Sequence, residues 1–290
     1  MACATLTLGL DDRSVIVTGG AGLIGRVVVD HFLAAGAKVS SLDIAHPESF
    51  QDDPAPSSMD TPGFKAIHCN VADEESVQRA FATATQAHGP VDVCVALASL
   101  DLSVLRPADF ADASLEQLQR VLSVNVTGKA PVKQGTWLTA RAWLRGLRQA
   151  KQDDMTVQHP NLIIIGSESG HFGERLAVDY SLAKSAVQGG LLMSLRAEAP
   201  RVWPGARVNV VAPGPVETDR WHVECKRNPD QLYLEAQATT ALCEPIPVRA
   251  VAMAIISLAS HNFSSHIHGQ VINVDGGKQG KVMWTKEELA

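Results

Sequence analysis

The chain has 290 residues, of which 46% are hydrophobic and 19% charged, so it can bury a substantial core and is not of disordered composition. A net charge of −6 and a pI near 5.9 give no reason to expect nucleic acid or an anionic membrane as a partner. Its five scattered cysteines form no C-x-x-C pair, which disfavours a metal site or a disulfide framework. Without a basic leader or a long apolar run, we expect a soluble, cytoplasmic protein.

The first predicted element is a β-branched strand at residues 14–17, which leads into a glycine-rich turn at residues 18–25. Residues 26–35 then carry apolar side chains at helical spacing, and Gly36 follows as a predicted C-cap. A glycine turn between a strand and a helix lets backbone N–H groups approach a pyrophosphate at the positive end of the helix. This context favours a dinucleotide-binding turn over a plain loop.

The second predicted strand, residues 38–42, ends at Asp43, eighteen positions after Gly25. A carboxylate in this place suits the two hydroxyls of an adenosine ribose and repels a 2′-phosphate. Neither Gly22 nor Ile44 supplies the basic side chain that a 2′-phosphate would need. The charge argument favours NAD over NADP, and the competing interpretation is an aspartate in a surface turn.

Strands and helices continue to alternate after Asp43. An exposed loop is predicted at residues 46–63, a strand at 65–69, a helix at 74–88 capped by Asp73, and an apolar strand at 91–96. This alternation predicts a parallel sheet with helices on both faces.

A long helical pattern opens at Ser114 and passes through Asn125. Gly128 and Pro131 interrupt it before the pattern resumes at residues 137–147. Because a proline removes a helical hydrogen bond, we expect a kink here, and such kinks often lie beside functional sites.

After a polar stretch at residues 149–160, the most apolar run of the chain predicts a strand at 162–165, at the centre of the sheet. Ser167 leaves the carboxyl end of this strand, where ligands bind in open parallel sheets. Tyr180 and Lys184 follow, four residues apart and therefore on one face of a helix.

This four-residue spacing would bring the charge of Lys184 close to the phenol of Tyr180. The charge of Lys184 would favour phenolate and lower the pKa of Tyr180 from its reference of about 10. Ser167 could hydrogen-bond a substrate oxygen. Together they are suited to passing a proton to or from an alcohol or carbonyl; the alternative is a solvated helix face.

The last third of the chain predicts a strand at residues 207–211, a helix at 247–259 and a final strand at 270–274. Residues 217–243 mix polar side chains with Trp221 and other aromatics, and predict either a mobile cover over the site or a segment packed on the domain. No repeat or linker divides the chain, so we expect one domain over residues 1–290.

In this order, the motifs resemble the short-chain dehydrogenase/reductase superfamily over essentially the whole chain. They are Thr18-Gly19…Gly25, Asp43, Asn70-Val71, Ser123-Val124-Asn125-Val126-Thr127-Gly128, Ser167, Tyr180…Lys184, Asn209-Val210-Val211-Ala212-Pro213-Gly214 and Val274-Asp275-Gly276-Gly277. The resemblance implies a single-domain α/β Rossmann-type fold, a doubly wound parallel sheet of about seven strands in three layers. It also implies an NAD(P)-dependent dehydrogenase or reductase acting on CH–OH groups, and a homo-oligomer, tetramer or dimer.

The resemblance also implies roles for single residues. Tyr180 would be the acid/base, Ser167 would polarise the substrate oxygen, Lys184 would hold the nicotinamide ribose, and Asn125 would anchor a water that relays the proton. The implied cofactor contacts are Gly19, Leu23, Ile24, Gly25, Asp43, Asn70, Val71, Ala98, Tyr180, Lys184, Pro213, Gly214, Val216 and Thr218.

The sequence departs from the family pattern in several places. Leu23 stands where glycine is usual, Asn70 replaces a more frequent aspartate, and residues 96–99 read Ala-Leu-Ala-Ser in place of Asn-Asn-Ala-Gly. The last change removes polar groups that brace the sheet and the cofactor pocket. Beside Ser167, Glu168 and His171 either face the substrate or are exposed loop residues.

The leading hypothesis is the interconversion of a secondary alcohol and a ketone by hydride transfer. Three aromatic residues in the presumed cover, Trp221, His222 and Tyr233, suggest a bulky small-molecule substrate of specialised metabolism. The alternatives are a lyase, isomerase or cyclase that keeps the bound cofactor without net redox chemistry, and a non-catalytic NAD-binding regulator.

Overall fold

The computed structural model describes residues 6–47, 62–126 and 135–284. Its strands, in chain order, are β1 (Ser14–Thr18), β2 (Lys38–Asp43), β3 (Phe64–His68), β4 (Val93–Ala96), β5 (Asn161–Ile165), β6 (Arg207–Pro213), β7 (Val216–Glu217), β8 (Ile246–Pro247) and β9 (Val271–Val274). Seven of them form one parallel sheet in the order β3-β2-β1-β4-β5-β6-β9, whereas β7 and β8 pair separately. The predicted seven-stranded, doubly wound α/β fold is therefore confirmed.

Helices cover both faces of this sheet. They are α1 (Gly25–Ala34), α2 (Glu74–His88), α3 (Leu115–Asn125), α4 (Gly135–Gln152), α5 (Ser169–Phe172), α6 (Val178–Ala186), α7 (Leu192–Val202), α8 (Asp219–Arg227), α9 (Val248–Ala259) and α10 (His261–Ser264). A π-helical turn, Val187–Leu191, joins α6 to α7.

The strands are buried on both sides, as their continuous apolar runs predict. Along β1, Val15 and Val17 pack with the side chains of α1 and α9, whereas Ile16 packs with those of α2, α4 and α7. Successive strand residues point to opposite faces, so this alternation divides the core into two halves around the sheet.

Two helices begin where the sequence predicts, whereas the length of one helix and the identity of the middle strand differ from the prediction. The side chains of Asp73 and Ser114 accept N–H groups of the first turns of α2 and α3. The helix predicted at 137–147 is longer, because the good helix formers of residues 148–152 continue it along the solvent face. β4, rather than the predicted β5, is the middle strand.

The expected kink at Gly128 and Pro131 lies outside the described residues. Within the part of the chain that is described, no helix is both long and apolar enough to cross a bilayer.

The segment 217–243 contains α8 and a π-helical turn, Leu232–Gln237. Thr218 begins α8 by accepting the N–H of Trp221. Trp221 is buried, whereas Tyr233 is exposed. The segment therefore packs partly on the domain, and its mobility stays a prediction.

Candidate active site

The glycine turn passes tightly against the end of β4. Gly19 has a φ of +70°, and a Cβ built on it would lie 2.8 Å from the Cα of Ala98. A Cβ on Gly25 would overlap the carbonyl oxygen of Gly19. Thr18 braces the same place, because its Oγ1 accepts the N–H groups of Leu97 at 3.1 Å and Ala98 at 3.3 Å. Residues 96–99 lack the polar side chains that the family pattern has at this strand end. The Thr18 hydroxyl therefore holds the backbone of the strand end.

The first turn of α1 is partly hydrogen-bonded to the glycine turn, because the N–H of Arg26 donates to the carbonyl of Gly22 at 3.0 Å. Ile24 occupies the N-cap, and no side chain of the described residues caps the helix. The first N–H groups of a helix have no partner within it and form a site for an anion. The donors that remain and the close-packed glycines fit a cofactor pyrophosphate.

Asp43 ends β2 beside the same turn. Its Oδ2 accepts the N–H of Ala21 at 3.0 Å, and its Oδ1 accepts that of Ala45 at 2.9 Å. The carboxylate is thereby held in the cavity wall, where we predict a contact with the adenosine ribose.

We expect Gly19→Ala to weaken cofactor binding at least about tenfold and to lower stability by more than about 1 kcal/mol. The added Cβ would need a left-handed backbone and would press on Ala98. Calorimetric titration with NAD and denaturant unfolding measure the two effects. Gly146→Ala on α4, where nothing lies within 4 Å of the new Cβ, is the matched control. Unchanged cofactor affinity in Gly19→Ala would refute the tight-turn account.

A cavity of about 930 Å³ opens at the carboxyl edge of the sheet. Most of the predicted residues line it, both those expected to contact the cofactor and those expected to react, whose end we call the reacting end after that prediction; they are Gly19, Leu23, Ile24, Gly25, Asp43, Asn70, Val71, Ala98, Ser167, Glu168, Tyr180, Lys184, Pro213, Gly214, Val216, Thr218 and Trp221. Asn125 and His171 do not line it. No group of three or more His, Cys, Asp and Glu side chains in the described residues could hold a metal ion.

Tyr180, Lys184 and Ser167 meet at the reacting end of this cavity. Tyr180 and Lys184 are buried on α6, and the Lys184 Nζ lies 5.6 Å from the centre of the Tyr180 ring. Ser167 hydrogen-bonds to Tyr180. The Ser167 Oγ accepts the N–H of Ser169 at 3.2 Å, and Lys184 donates to the carbonyl of Ile165 at 3.3 Å.

Burial dominates the electrostatics of the pair, contrary to the sequence expectation. It raises the pKa of Tyr180 above its ordinary value, and the hydrogen bond from Ser167 opposes it only in part. Burial also lowers the pKa of Lys184 to about 8. The predicted lowering of the tyrosine pKa by Lys184 is therefore not found in this arrangement. Tyr180 holds its proton at neutral pH, which suits a proton donor.

Asn125 acts on the cavity through a loop. Its Oδ1 accepts the N–H of Leu100 at 2.7 Å, and its Nδ2 donates to the Leu100 carbonyl at 3.0 Å. Leu100 lines the cavity, so Asn125 positions this part of the wall. Its predicted contact with a relay water stays a prediction.

The two side chains singled out beside Ser167 have different surroundings. Glu168 is buried and ion-paired with Lys281 at 2.8 Å and Lys278 at 3.4 Å, so the exposed-loop interpretation is wrong for it. His171 is exposed and contacts Asn273 at 3.1 Å, outside the cavity. A substrate role for His171 therefore has no geometric support.

Several charged residues of the cavity wall escaped the sequence analysis. They are Asp101, Glu174, Arg220, Glu224, Glu235 and Lys281. They come from distant parts of the chain and belong to no motif. No signal in a single sequence could have brought them together.

Comparisons with known proteins agree with this geometry. The family model described as enoyl-(acyl carrier protein) reductase matches residues 20–279. The chain is 29% identical over 267 residues to the 3-oxoacyl-[acyl-carrier-protein] reductase MabA of Mycobacterium tuberculosis, covering 91% of this chain and 92% of that protein. It is 30% identical over 281 residues to the acetoacetyl-CoA reductase of Synechocystis, covering 93% and 98%.

This chain also resembles a solved structure over most of its length. The crystal structure of an oxidoreductase of the short-chain dehydrogenase/reductase family from Burkholderia thailandensis superposes with a TM-score of 0.69 at 26% identity, covering 91% of this chain and 92% of that one. The chain belongs to the short-chain dehydrogenase/reductase family. Oxidoreductases of this family use NAD(H) or NADP(H).

Proposed function

We propose that this protein is an NAD(P)-dependent oxidoreductase that interconverts a secondary alcohol and its ketone, with Tyr180 as the acid/base. One observation carries the proposal. Ser167, Tyr180 and Lys184 meet in the same cavity that the glycine turn and Asp43 line. A proton-handling group and a nucleotide cradle are thus within reach of one bound molecule.

The residues act in a simple sequence when a ketone is reduced. Ser167 receives the N–H of Ser169 on its oxygen, so its own proton is free to bond Tyr180 or the substrate oxygen. Tyr180 gives its proton to that oxygen as negative charge develops there. The ammonium of Lys184 then stabilises the phenolate that is left. Oxidation runs through the same steps in reverse.

The cofactor would be held by the glycine turn and the uncapped start of α1 at its pyrophosphate, and by Asp43 at its adenosine ribose. When bound, the nicotinamide accepts or supplies the hydride.

NAD is the cofactor that we favour, with NADP as the alternative. Asp43 brings a negative charge to the ribose end of the cavity. No lysine or arginine lines that end among the described residues, where the wall is formed by Leu42, Asp43, Ile44, Cys69, Asn70 and Val71. A 2′-phosphate would meet repulsion there without a counter-charge.

We expect the protein to bind NAD more tightly than NADP, and Asp43→Asn to narrow that preference about tenfold by removing the repulsion. Calorimetric titration of both cofactors tests this. Asp30→Asn, which makes the same charge change on the exposed side of α1, is the matched control. A preference for NADP, or an unchanged ratio in Asp43→Asn, would refute the assignment.

The size of the substrate stays a prediction with reduced support. Of the aromatics that suggested a bulky molecule, Trp221 lines the cavity, whereas His222 and Tyr233 do not. The lyase, isomerase or cyclase alternative rests on the altered residues 96–99 and on Glu168. It loses the second support, because Glu168 is held between two lysines rather than free to act as an acid or base. The cytoplasmic location and the homo-oligomer also stay predictions.

The direct experiment for the function is a panel of secondary alcohols with NAD, and of ketones with NADH. The proposal expects formation or loss of the reduced-nicotinamide band together with the matching product. Product formed without any change in that band would favour the non-redox alternative.

A further inference from the structure

The wall next to the reacting residues is strongly charged. Four carboxylates line this part of the cavity; they are Glu168, Glu174, Glu224 and Glu235. Two ammonium groups, those of Lys281 in the wall and Lys278 behind it, face them. Asp101 and Arg220 of the same cavity pair with each other at 3.1 Å and cancel, so the wall carries an excess of negative charge.

The ammonium groups are shared by only some of the carboxylates. The Lys281 Nζ lies 2.8 Å from Glu168 and 2.7 Å from Glu174. Burial acts to lower the pKa of Lys281, but these two carboxylates outweigh it and hold the pKa above its ordinary value. The Lys278 Nζ contacts Glu168 at 3.4 Å. Both lysines are thus committed to Glu168 and Glu174.

Glu235 is left without a partner of its own. Its carboxylate makes no ion pair or hydrogen bond with the described residues, although its backbone carbonyl accepts from Lys278 and Thr239. Glu235 is exposed to solvent and lines the cavity wall, so water hydrates its carboxylate when no ligand is bound. The nearby wall desolvates the carboxylate enough to raise its pKa, and the attraction of Lys281 and Lys278 does not cancel that effect.

Two further polar groups of the same wall lack a hydrogen-bond partner among the described residues. Trp221 is only 8% exposed, and its Nε1 has no acceptor. Glu168 is 6% exposed, and its Oε2 has the Lys278 ammonium beside it at 3.4 Å, but outside hydrogen-bonding geometry. Buried polar groups are usually paired in folded proteins, so these two atoms are available to polar groups of a ligand.

We propose that the substrate is an amino alcohol or the corresponding amino ketone, whose ammonium group binds beside Glu235 while its oxygen faces Tyr180. The inference deepens the proposed function. It rests on that function only in placing the substrate oxygen at Tyr180. A neutral substrate would cover the Glu235 carboxylate without replacing its water, which is costly. An ammonium group compensates that charge and is also attracted by the face of an indole ring such as Trp221. An anionic substrate would be repelled.

The test uses three matched sets of secondary alcohols that differ only in a terminal amine, hydroxyl or carboxylate, with spacers of one, three or five methylene groups. Calorimetry with NAD-saturated protein at low ionic strength measures affinity, and the reduced-nicotinamide band measures turnover. Glu235→Gln removes the charge at constant shape. Glu244→Gln, an exposed residue outside the cavity, is the matched control.

We expect the amine of the best spacer to bind at least about tenfold more tightly than the diol, and the hydroxy acid to bind worst. Glu235→Gln should lose most of this preference by weakening the amine alone, whereas Glu244→Gln should keep it. The wild-type ranking needs no variant and therefore does not depend on how well Glu235→Gln folds.

Equal affinity for amine and diol, or a preference that survives in Glu235→Gln, would overturn the inference. The turnover measurement distinguishes a failure of this inference from a failure of the proposed function. Turnover without an amine preference refutes the inference alone. An amine preference without turnover of any member supports the binding site and counts against alcohol oxidation.

Discussion

Tyr180→Phe is expected to lower turnover by about 10²–10⁴-fold, the usual contribution of a positioned acid or base. In the proposed mechanism the phenol is the proton donor, and its raised pKa keeps the proton in place at neutral pH. Cofactor affinity should stay within about threefold, because the glycine turn and Asp43 lie at the other end. Steady-state kinetics and calorimetric titration with NAD measure the two quantities.

Tyr233→Phe is the matched control. Tyr233 is the chain's only other tyrosine, is exposed, and does not line the cavity. The Tyr233→Phe variant should therefore keep the activity of the wild type. Full activity in Tyr180→Phe would contradict the assignment of the acid/base.

Glu168→Ala is expected to lower the free energy of unfolding by about 3 kcal/mol, at the lower end of the range for breaking a buried ion pair. The Lys278 side chain has no exposed surface and would lose its carboxylate partner. The loss is moderated because Lys278 keeps its bonds to the Glu235 carbonyl and to Thr239. Lys281 also keeps Glu174. Denaturant unfolding measures the change.

The double variant Glu168→Leu with Lys278→Met is the control, because it removes both charges at similar volume. It should be clearly more stable than Glu168→Ala, since no buried charge is left unpaired. A loss below about 1 kcal/mol in Glu168→Ala, or no recovery in the double variant, would show that the pair does not hold this wall together.

The sheet, the glycine turn after β1 and the place of Ser167, Tyr180 and Lys184 in one cavity could be predicted from the sequence because their signals are local. A β-branched run before Gly19, a carboxylate at the end of β2 and a four-residue spacing between Tyr180 and Lys184 each lie within one or two elements. The caps at Asp73 and Ser114 are local in the same sense. Parallel pairing of alternating strands then determines which of these ends meet.

The wall of the cavity could not be predicted, because it depends on contacts between distant parts of the chain. Glu168 and Lys278 are 110 positions apart, and nothing near either residue signals the other. The pKa of Tyr180 was misjudged for a related reason. Its neighbour Lys184 is visible in the sequence, but the extent of burial is a property of the packed site.

The measurement that tests the central claim most directly is the stoichiometry of oxidation of a secondary alcohol that the protein turns over. Reduced nicotinamide and ketone are quantified in the same reaction, for the wild type and for Tyr180→Phe. The account predicts one reduced cofactor for each ketone formed in the wild type, and almost none of either in the variant. Product formed without reduced cofactor, or equal rates in the two proteins, would contradict it.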